Sequence, residues 1–207
     1  MKLNLSGIDT VIFDLGNVLL NLDFDASIRA FHGLGLNDDL LNRKQFYTNP
    51  VFYNFEIGEV SEEEFRTQVR KILTNPNASD KQIDDAWCAM IGDIPASRVK
   101  KLLELSNKYN ICLFSNTNSI HVQKLLFDFA TTHGVEFTSL FDHVFYSHQI
   151  NARKPDLGAY EKVIELSGVI PENTLFVDDL EKNIEGATKA GLKTLWLKPE
   201  MEMADLF

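Results

Sequence analysis

The stretch Thr10-Val11-Ile12-Phe13-Asp14 decides the fold, because it is a short apolar run that ends in an acidic residue. A run that is apolar at successive positions is typical of a strand buried on both faces of a parallel sheet. Four later runs have the same character, at residues 111–115, 143–147, 174–178 and 193–197. We predict that the five runs are the strands of one sheet.

The segments between these runs have the period of amphipathic helices. Apolar residues recur at helical spacing in residues 99–105, 122–129 and 160–166, and Gly168 and Gly191 are helix stop signals. Buried strands that alternate with amphipathic helices predict an α/β fold, with a Rossmann-like parallel sheet flanked by helices.

Residues 24–90 interrupt this alternation, because they contain helix signals and no strand pattern. Ser61 with Glu64, and Ser79 with Gln82, have the spacing of capping boxes that start helices. We therefore predict an α/β core domain of residues 1–20 and 92–207, with a helical cap domain of residues 21–91 inserted after the first strand. The alternative is that these helices are peripheral parts of a single domain.

Composition and charge exclude several classes of protein. The 207 residues contain 20 Lys and Arg against 30 Asp and Glu, so the net charge is −10, which disfavours nucleic-acid and membrane partners. No apolar run approaches the roughly 18 residues of a membrane-spanning helix, and Asp9 precedes any long apolar stretch, unlike in a secretory signal. Cys88 and Cys112 lie far apart, which favours reduced thiols and a cytoplasmic location.

Polar side chains stand at the ends of the predicted strands. The first strand ends in Asp14, the second in Ser115 and Asn116, and the fourth in Asp178 and Asp179, while Lys154 lies in the loop after the third. Ligands of an open parallel sheet bind at the carboxyl ends of its strands, so we expect these side chains to share one site.

Taken singly, each of these residues has a commoner role. Asp14 could be a turn or cap residue, and Ser115-Asn116 could be a helix N-cap. Asp178-Asp179 could begin a helix, and Lys154 could be a solvated surface lysine. Their joint occurrence at one edge of the sheet favours a functional site. The histidines show no metal-ligand spacing and are interpreted as structural or surface residues.

Four segments together resemble the motifs of the haloacid dehalogenase superfamily. Residues 11–19 (VIFDLGNVL) resemble its first motif, residues 115–116 its second, residues 154–155 its third, and residues 176–179 with 183–187 its fourth. Their order runs from residue 11 to about residue 197, and the helical insertion resembles the C1-type cap of that family. The first and fourth motifs look most like the α-D-glucose-1-phosphate phosphatase-like branch.

The resemblance implies a magnesium-dependent phosphatase. Its substrate would be a small phosphorylated metabolite, such as a hexose-1-phosphate, hydrolysed through an aspartyl-phosphate intermediate. The implied roles are Asp14 as nucleophile, Ser115, Asn116 and Lys154 as phosphate ligands, and Asp14, the carbonyl of Gly16 and Asp179 as Mg²⁺ ligands with Asp178 beside them. A monomer suffices for a site built within one chain.

Gly16 departs from the family pattern, which has at this position a second aspartate that acts as general acid and base. Positioned acid–base help is worth about 10²–10⁴-fold, so its loss suits a good leaving group such as an anomeric oxygen. The alternatives are a slow or non-catalytic phosphosugar-binding protein, and a haloacid dehalogenase, against which the Asp178-Asp179 pair argues. A phosphate-shuttling mutase needs the missing acid even more and is disfavoured.

The polar residues just after the first motif have two interpretations. Asn21, Asp23 and Asp25 would either contact the leaving group of the substrate or cap the first helix of the insertion.

Overall fold

The computed structural model describes residues 2–207, so residue 1, the first of the predicted core domain, lies outside the described residues. Within that range an all-parallel sheet of five strands has the order β3-β2-β1-β4-β5. The strands are β1 (Thr10–Phe13), β2 (Asn110–Ser115), β3 (His143–Tyr146), β4 (Thr174–Asp178) and β5 (Lys193–Trp196). Each predicted run is a strand whose ends differ by at most one residue, and the predicted fold class is confirmed.

The helices alternate with the strands except in one block after β1. That block contains α1 (Phe24–Gly33), α2 (Arg43–Thr48), α3 (Pro50–Glu56), α4 (Glu62–Ile72) and α5 (Asp80–Cys88). The remaining α-helices are α6 (Ala96–Leu105), α7 (Ser119–His133), α8 (Ser147–Ile150), α9 (Leu157–Ser167), α10 (Glu181–Lys189) and α11 (Met203–Leu206). No helix within residues 2–207 combines the length and the apolar character that crossing a membrane requires.

The sheet is covered by helices on both faces. Successive residues of a strand point to opposite faces, so Val11 and Phe13 pack into one hydrophobic cluster and Ile12 into another. The first cluster includes residues of α6 and α7, and the second includes residues of α9 and α10. Because both faces are buried, the central strands are apolar at successive positions, which is the pattern that predicted them.

The helical block forms a separate hydrophobic cluster, in which Trp87 is fully buried among several phenylalanines and which α7 joins through Ile120. Both predicted capping boxes are present, at Ser61 before α4 and at Ser79 before α5. This separate cluster accounts for the lack of a strand in the block, since helices packed on helices need no sheet. The division into domains at residues 20/21 and 91/92 stays a prediction.

Helix α7 offers a matched test of the packing. Phe129 is 3% exposed and packs into the first cluster, whereas Phe127 is 72% exposed on the same helix. We expect Phe129→Ala to lower the free energy of unfolding by about 3–5 kcal/mol, because it leaves a cavity in the core. Phe127→Ala should change it by less than about 0.5 kcal/mol. Equilibrium denaturant unfolding measures both values, and equal losses would contradict this orientation of α7.

Candidate active site

The site lies where the strand order reverses. The chain adds β2 and then β3 on one side of β1, and β4 on the other side, so a crevice opens at the carboxyl ends of β1 and β4. A cavity of about 390 Å³ lies there. Of the residues predicted to form the site, six line this cavity: Asp14, Gly16, Ser115, Asn116, Lys154 and Asp179. Asp178 does not line the cavity, but its side chain is bonded to Lys154.

Lys154 is buried at the centre of the site, with 1% of its surface exposed. Its Nζ lies 2.5 Å from Asp14 Oδ1, 2.7 Å from Asp178 Oδ2 and 2.9 Å from the carbonyl oxygen of Phe114. These three contacts use all three donors of the ammonium group. The alternative of a solvated lysine is therefore wrong.

Asn116 holds Lys154 in place through the main chain. Its Nδ2 donates to the carbonyl oxygen of Lys154 at 2.9 Å, and the N–H of Lys154 donates to its Oδ1 at 3.0 Å. Both polar atoms of this side chain are thus engaged with the loop that carries Lys154. Asn116 positions the lysine, and the predicted contact of its amide with phosphate stays a prediction.

Three carboxylates converge beside Lys154. Asp14, Asp178 and Asp179 each offer an oxygen, and these oxygens lie within 4.8 Å of one another. Burial raises the pKa of Asp14 to about 7, against the attraction of Lys154 and together with the repulsion of Asp178. Burial also raises the pKa of Asp179. Three ionised carboxylates and one ammonium leave two negative charges, and a set of oxygen donors with that charge fits a divalent cation such as Mg²⁺.

Two asparagines orient these carboxylates, and the sequence did not predict their roles. Asn183 Nδ2 lies 2.9 Å and 3.1 Å from the two carboxylate oxygens of Asp178. Asn17 Nδ2 donates to Asp179 Oδ2 at 3.0 Å. Asn17 lies in the first motif segment (residues 11–19) and Asn183 in the fourth (residues 183–187). Their place within these motifs was the only sequence signal that could have marked them as site residues.

Two of the helix-cap alternatives are also decided, those of Ser115-Asn116 and of Asp23. Asn118, not Ser115 or Asn116, caps α7 with its side chain. Asp23 caps α1 by accepting from the N–H groups of Asp25 and Ala26. Asn21, Asp23 and Asp25 are not among the residues that line the cavity, so the capping interpretation holds for Asp23.

Gly16 lies against a leucine at the wall of the cavity. A Cβ atom built on Gly16 would lie 2.6 Å from Leu22 Cδ1, closer than van der Waals contact allows. Leu22 therefore fills the space in which a side chain at residue 16 would begin. The departure from the family pattern is matched by the packing around it.

His121 is the histidine that lines the cavity, and it is held in a neutral form. Its Nε2 lies 2.9 Å from the carbonyl oxygen of Trp87, and burial lowers its pKa to about 4. The ring also stacks on Trp87, with 4.6 Å between ring centroids. His121 thus joins α7 to α5, as expected for a structural histidine.

The helical block forms the mouth of the cavity, and the sequence did not predict these residues. They include Phe24, Arg43, Lys44, Tyr47, Thr48 and Glu56. Glu56 Oε2 pairs with Arg153 Nη1 at 3.0 Å, across the cavity from α3 to the loop before Lys154. Burial raises the pKa of Glu56, and Arg153 opposes this. These residues have no local sequence pattern, because only packing brings them to the site.

Known proteins resemble this chain over nearly its whole length. A family model, that of the haloacid dehalogenase-like hydrolases, matches residues 8–191. The D-ribitol-5-phosphate phosphatase of Bacteroides thetaiotaomicron is 28% identical over 187 residues, which are 90% of this chain and 90% of that protein. A crystal structure of a HAD family enzyme from the same species has a TM-score of 0.89 and 31% identity, covering 96% of this chain and 98% of that chain.

The same enzyme in complex with magnesium and inorganic phosphate has a TM-score of 0.84 and 31% identity, over 97% of this chain and 99% of that chain. The family model spans most of the sequence, and the structural likeness extends through both the sheet and the helical block. This chain therefore belongs to the haloacid dehalogenase-like hydrolase family.

Proposed function

We propose that this chain is a magnesium-dependent phosphatase that hydrolyses a small phosphorylated metabolite through an aspartyl-phosphate on Asp14. The observation that carries the proposal is that Asp14, Lys154 and Asp179 line one cavity, with Asp178 hydrogen-bonded to Lys154 beside them. The D-ribitol-5-phosphate phosphatase and the enzyme that binds magnesium with inorganic phosphate support it. The family is one of hydrolases, and the named relative is a phosphatase, so phosphoric monoester hydrolysis is the reaction that both findings support.

In the proposed reaction the carboxylate of Asp14 attacks phosphorus in line with the leaving oxygen. The bond from phosphorus to that oxygen breaks, and the oxygen then takes a proton. Water hydrolyses the aspartyl-phosphate and releases phosphate. Lys154 favours the ionised carboxylate of Asp14 through its 2.5 Å contact.

Asp14, the carbonyl of Gly16 and Asp179 are the residues that would hold Mg²⁺, with Asp178 beside them. When bound, the ion offsets the negative charge of the carboxylates and of the phosphoryl oxygens. Ser115, which ends β2 and is 3% exposed, would donate its hydroxyl to a phosphoryl oxygen.

The helical block would act as a cap. Its own hydrophobic cluster supports the division into a core of residues 1–20 and 92–207 and a cap of residues 21–91. Closure of the cap over the cavity would exclude bulk water and select the leaving group.

The glycine at residue 16 suggests which kind of phosphate ester is the substrate. Because no acid at residue 16 can protonate the leaving oxygen, we propose that a sugar phosphate with a good leaving group, such as a hexose-1-phosphate, is favoured. The contact of Gly16 with Leu22 also favours the second candidate, a slow or non-catalytic phosphosugar-binding protein. A haloacid dehalogenase is less favoured, because the paired acids of β4 would have no use there.

Hydrolysis of p-nitrophenyl phosphate tests the phosphatase directly. With Mg²⁺ present, we expect Asp14→Asn to lower turnover by about 10³-fold or more, because the amide is no nucleophile. Asp9→Asn is the matched control, because Asp9 is exposed and lies just before the first residue of β1, at the opposite end of the strand from Asp14. Turnover that survives Asp14→Asn would contradict the proposal, and no turnover by the unaltered protein would support the binding protein.

Thermal unfolding tests the metal site without any activity. At about 100 times its dissociation constant, Mg²⁺ should add about 2.7 kcal/mol to the free energy of unfolding. Asp179→Asn should lose most of this gain at the same Mg²⁺ concentration. Glu181→Gln, which removes an exposed charge two residues away, should keep it. Equal gains in both variants would exclude Asp179 as a ligand.

A comparison of substrates with different leaving groups tests the role of Gly16. We expect kcat with D-glucose 1-phosphate to exceed kcat with D-glucose 6-phosphate, whose primary alkoxide is the poorer leaving group. Gly16→Asp with Leu22→Ala should raise kcat for the 6-phosphate by about tenfold, because the acid then has room beside the leaving oxygen.

Gly16→Asp alone is the control for this pair. Leu22 must move to admit the new side chain, so the single variant should gain less than the double variant. A wild-type preference for the 6-phosphate would argue against the hexose-1-phosphate.

A further inference from the structure

The mouth of the cavity carries three cationic side chains. Arg43 and Lys44 begin α2 and Lys182 lies in the first turn of α10, and all three are exposed and line the cavity. Among residues 2–207, none of the three forms a salt bridge.

Arg43 differs from the other arginines of the chain. The five others, all in the described range, pair with carboxylates: Arg29, Arg66, Arg70, Arg98 and Arg153. The guanidinium carbon of Arg43 instead lies 4.2 Å from the ring centroid of Phe24, which also lines the cavity. Stacking on an aromatic ring holds a guanidinium and leaves its in-plane N–H donors available to a ligand.

The charges separate by depth. At the bottom, three carboxylates and Lys154 leave two negative charges, which a divalent cation matches. At the mouth, Glu56 is neutralised by Arg153. Arg43, Lys44 and Lys182 then leave three positive charges at the mouth, in a chain whose net charge is −10.

In the proposed reaction the transferred phosphoryl group would lie at the bottom, next to Asp14, so the mouth would face the leaving group. We propose that the leaving group carries a second anionic group, a carboxylate or a phosphate, which Arg43 and Lys44 bind. This inference rests on the proposed phosphatase function. Both anions offer pairs of oxygens that a guanidinium binds with two hydrogen bonds. The cavity, at about 390 Å³, is within the roughly 300–1,000 Å³ range of small-molecule sites.

The rival explanation is that these cations only attract the transferred phosphate from solution. In that case they would act through charge alone, so Arg43→Lys would keep the whole effect on a doubly anionic ester and added salt would remove it. A second anionic group bound by the guanidinium predicts instead that Arg43→Lys keeps only part of the effect, because lysine cannot form the paired hydrogen bonds. Substrates that differ in the leaving group, compared in Arg43→Gln and Arg43→Lys, therefore separate the two explanations.

The experiment compares kcat/KM for D-glucose 1-phosphate, D-glucuronic acid 1-phosphate and D-glucose 1,6-bisphosphate. The first two differ only by a carboxylate in place of a hydroxymethyl group. We expect at least one of the two doubly anionic substrates to be preferred by about tenfold or more, as a charged hydrogen bond contributes about 1.5–3 kcal/mol. Which of the two has the higher kcat/KM shows whether the second anionic group is a carboxylate or a phosphate.

Arg43→Gln should lower kcat/KM for the preferred doubly anionic substrate by about tenfold more than for D-glucose 1-phosphate, while Arg43→Lys should retain part of the preference. Lys71→Gln is the matched control, because Lys71 is exposed on α4, in the same helical block, and does not line the cavity. Circular dichroism checks that each variant is folded.

Equal kcat/KM for the three substrates would overturn the inference, and so would an equal loss on all three in Arg43→Gln. Hydrolysis of p-nitrophenyl phosphate that depends on Asp14 would still support the phosphatase. If the protein turns over no phosphate ester, the proposed function fails. Calorimetry with Mg²⁺ then tests the inference through the affinities of the wild-type protein for the same three compounds. At least one of the two doubly anionic compounds should bind more tightly than D-glucose 1-phosphate.

Discussion

The ammonium group of Lys154, buried between Asp14 and Asp178, is the interaction on which the site depends. Carboxylates this close repel one another, and burial adds to the free energy of ionising them. One lysine offsets part of that charge and leaves the remainder for a divalent cation. Replacing Lys154 would leave buried carboxylates without a partner, which is far more costly than the loss of a surface ion pair.

The order of the sheet makes this interaction possible. Asp14 and Asp178 are distant in the chain, but β1 and β4 are neighbours in register, so the two acids emerge side by side. The loop after β3 reaches the same point, and Asn116 at the end of β2 bonds to its main chain. Four segments therefore contribute to one site, and each is held by the packing of a different strand or loop.

The bottom and the mouth of the cavity are built from different parts of the chain. The bottom is built from strand ends, where side chains are buried and their geometry is set by the sheet. The mouth is built largely from the helical block, where Arg43 and Lys44 are exposed. In the proposed reaction, the bottom would perform the chemical step while the mouth would select the leaving group. Gly16 and Leu22 both line the cavity, and Gly16 is the residue at which this chain departs from the family pattern.

The sequence by itself determined the strands, both capping boxes, the helical block and the residues at the strand ends, because these depend on local periodicity and spacing. It left open whether Lys154 is solvated and whether Asp23 caps a helix, and it assigned the Asn116 amide to phosphate. Only the tertiary structure showed Lys154 buried, Asp23 as a cap and Asn116 bonded to the Lys154 loop. The contact of Leu22 with Gly16 and the cations at the mouth also appear only there. The physical reason is that such contacts join segments remote in the chain, so packing, and no local pattern, decides them.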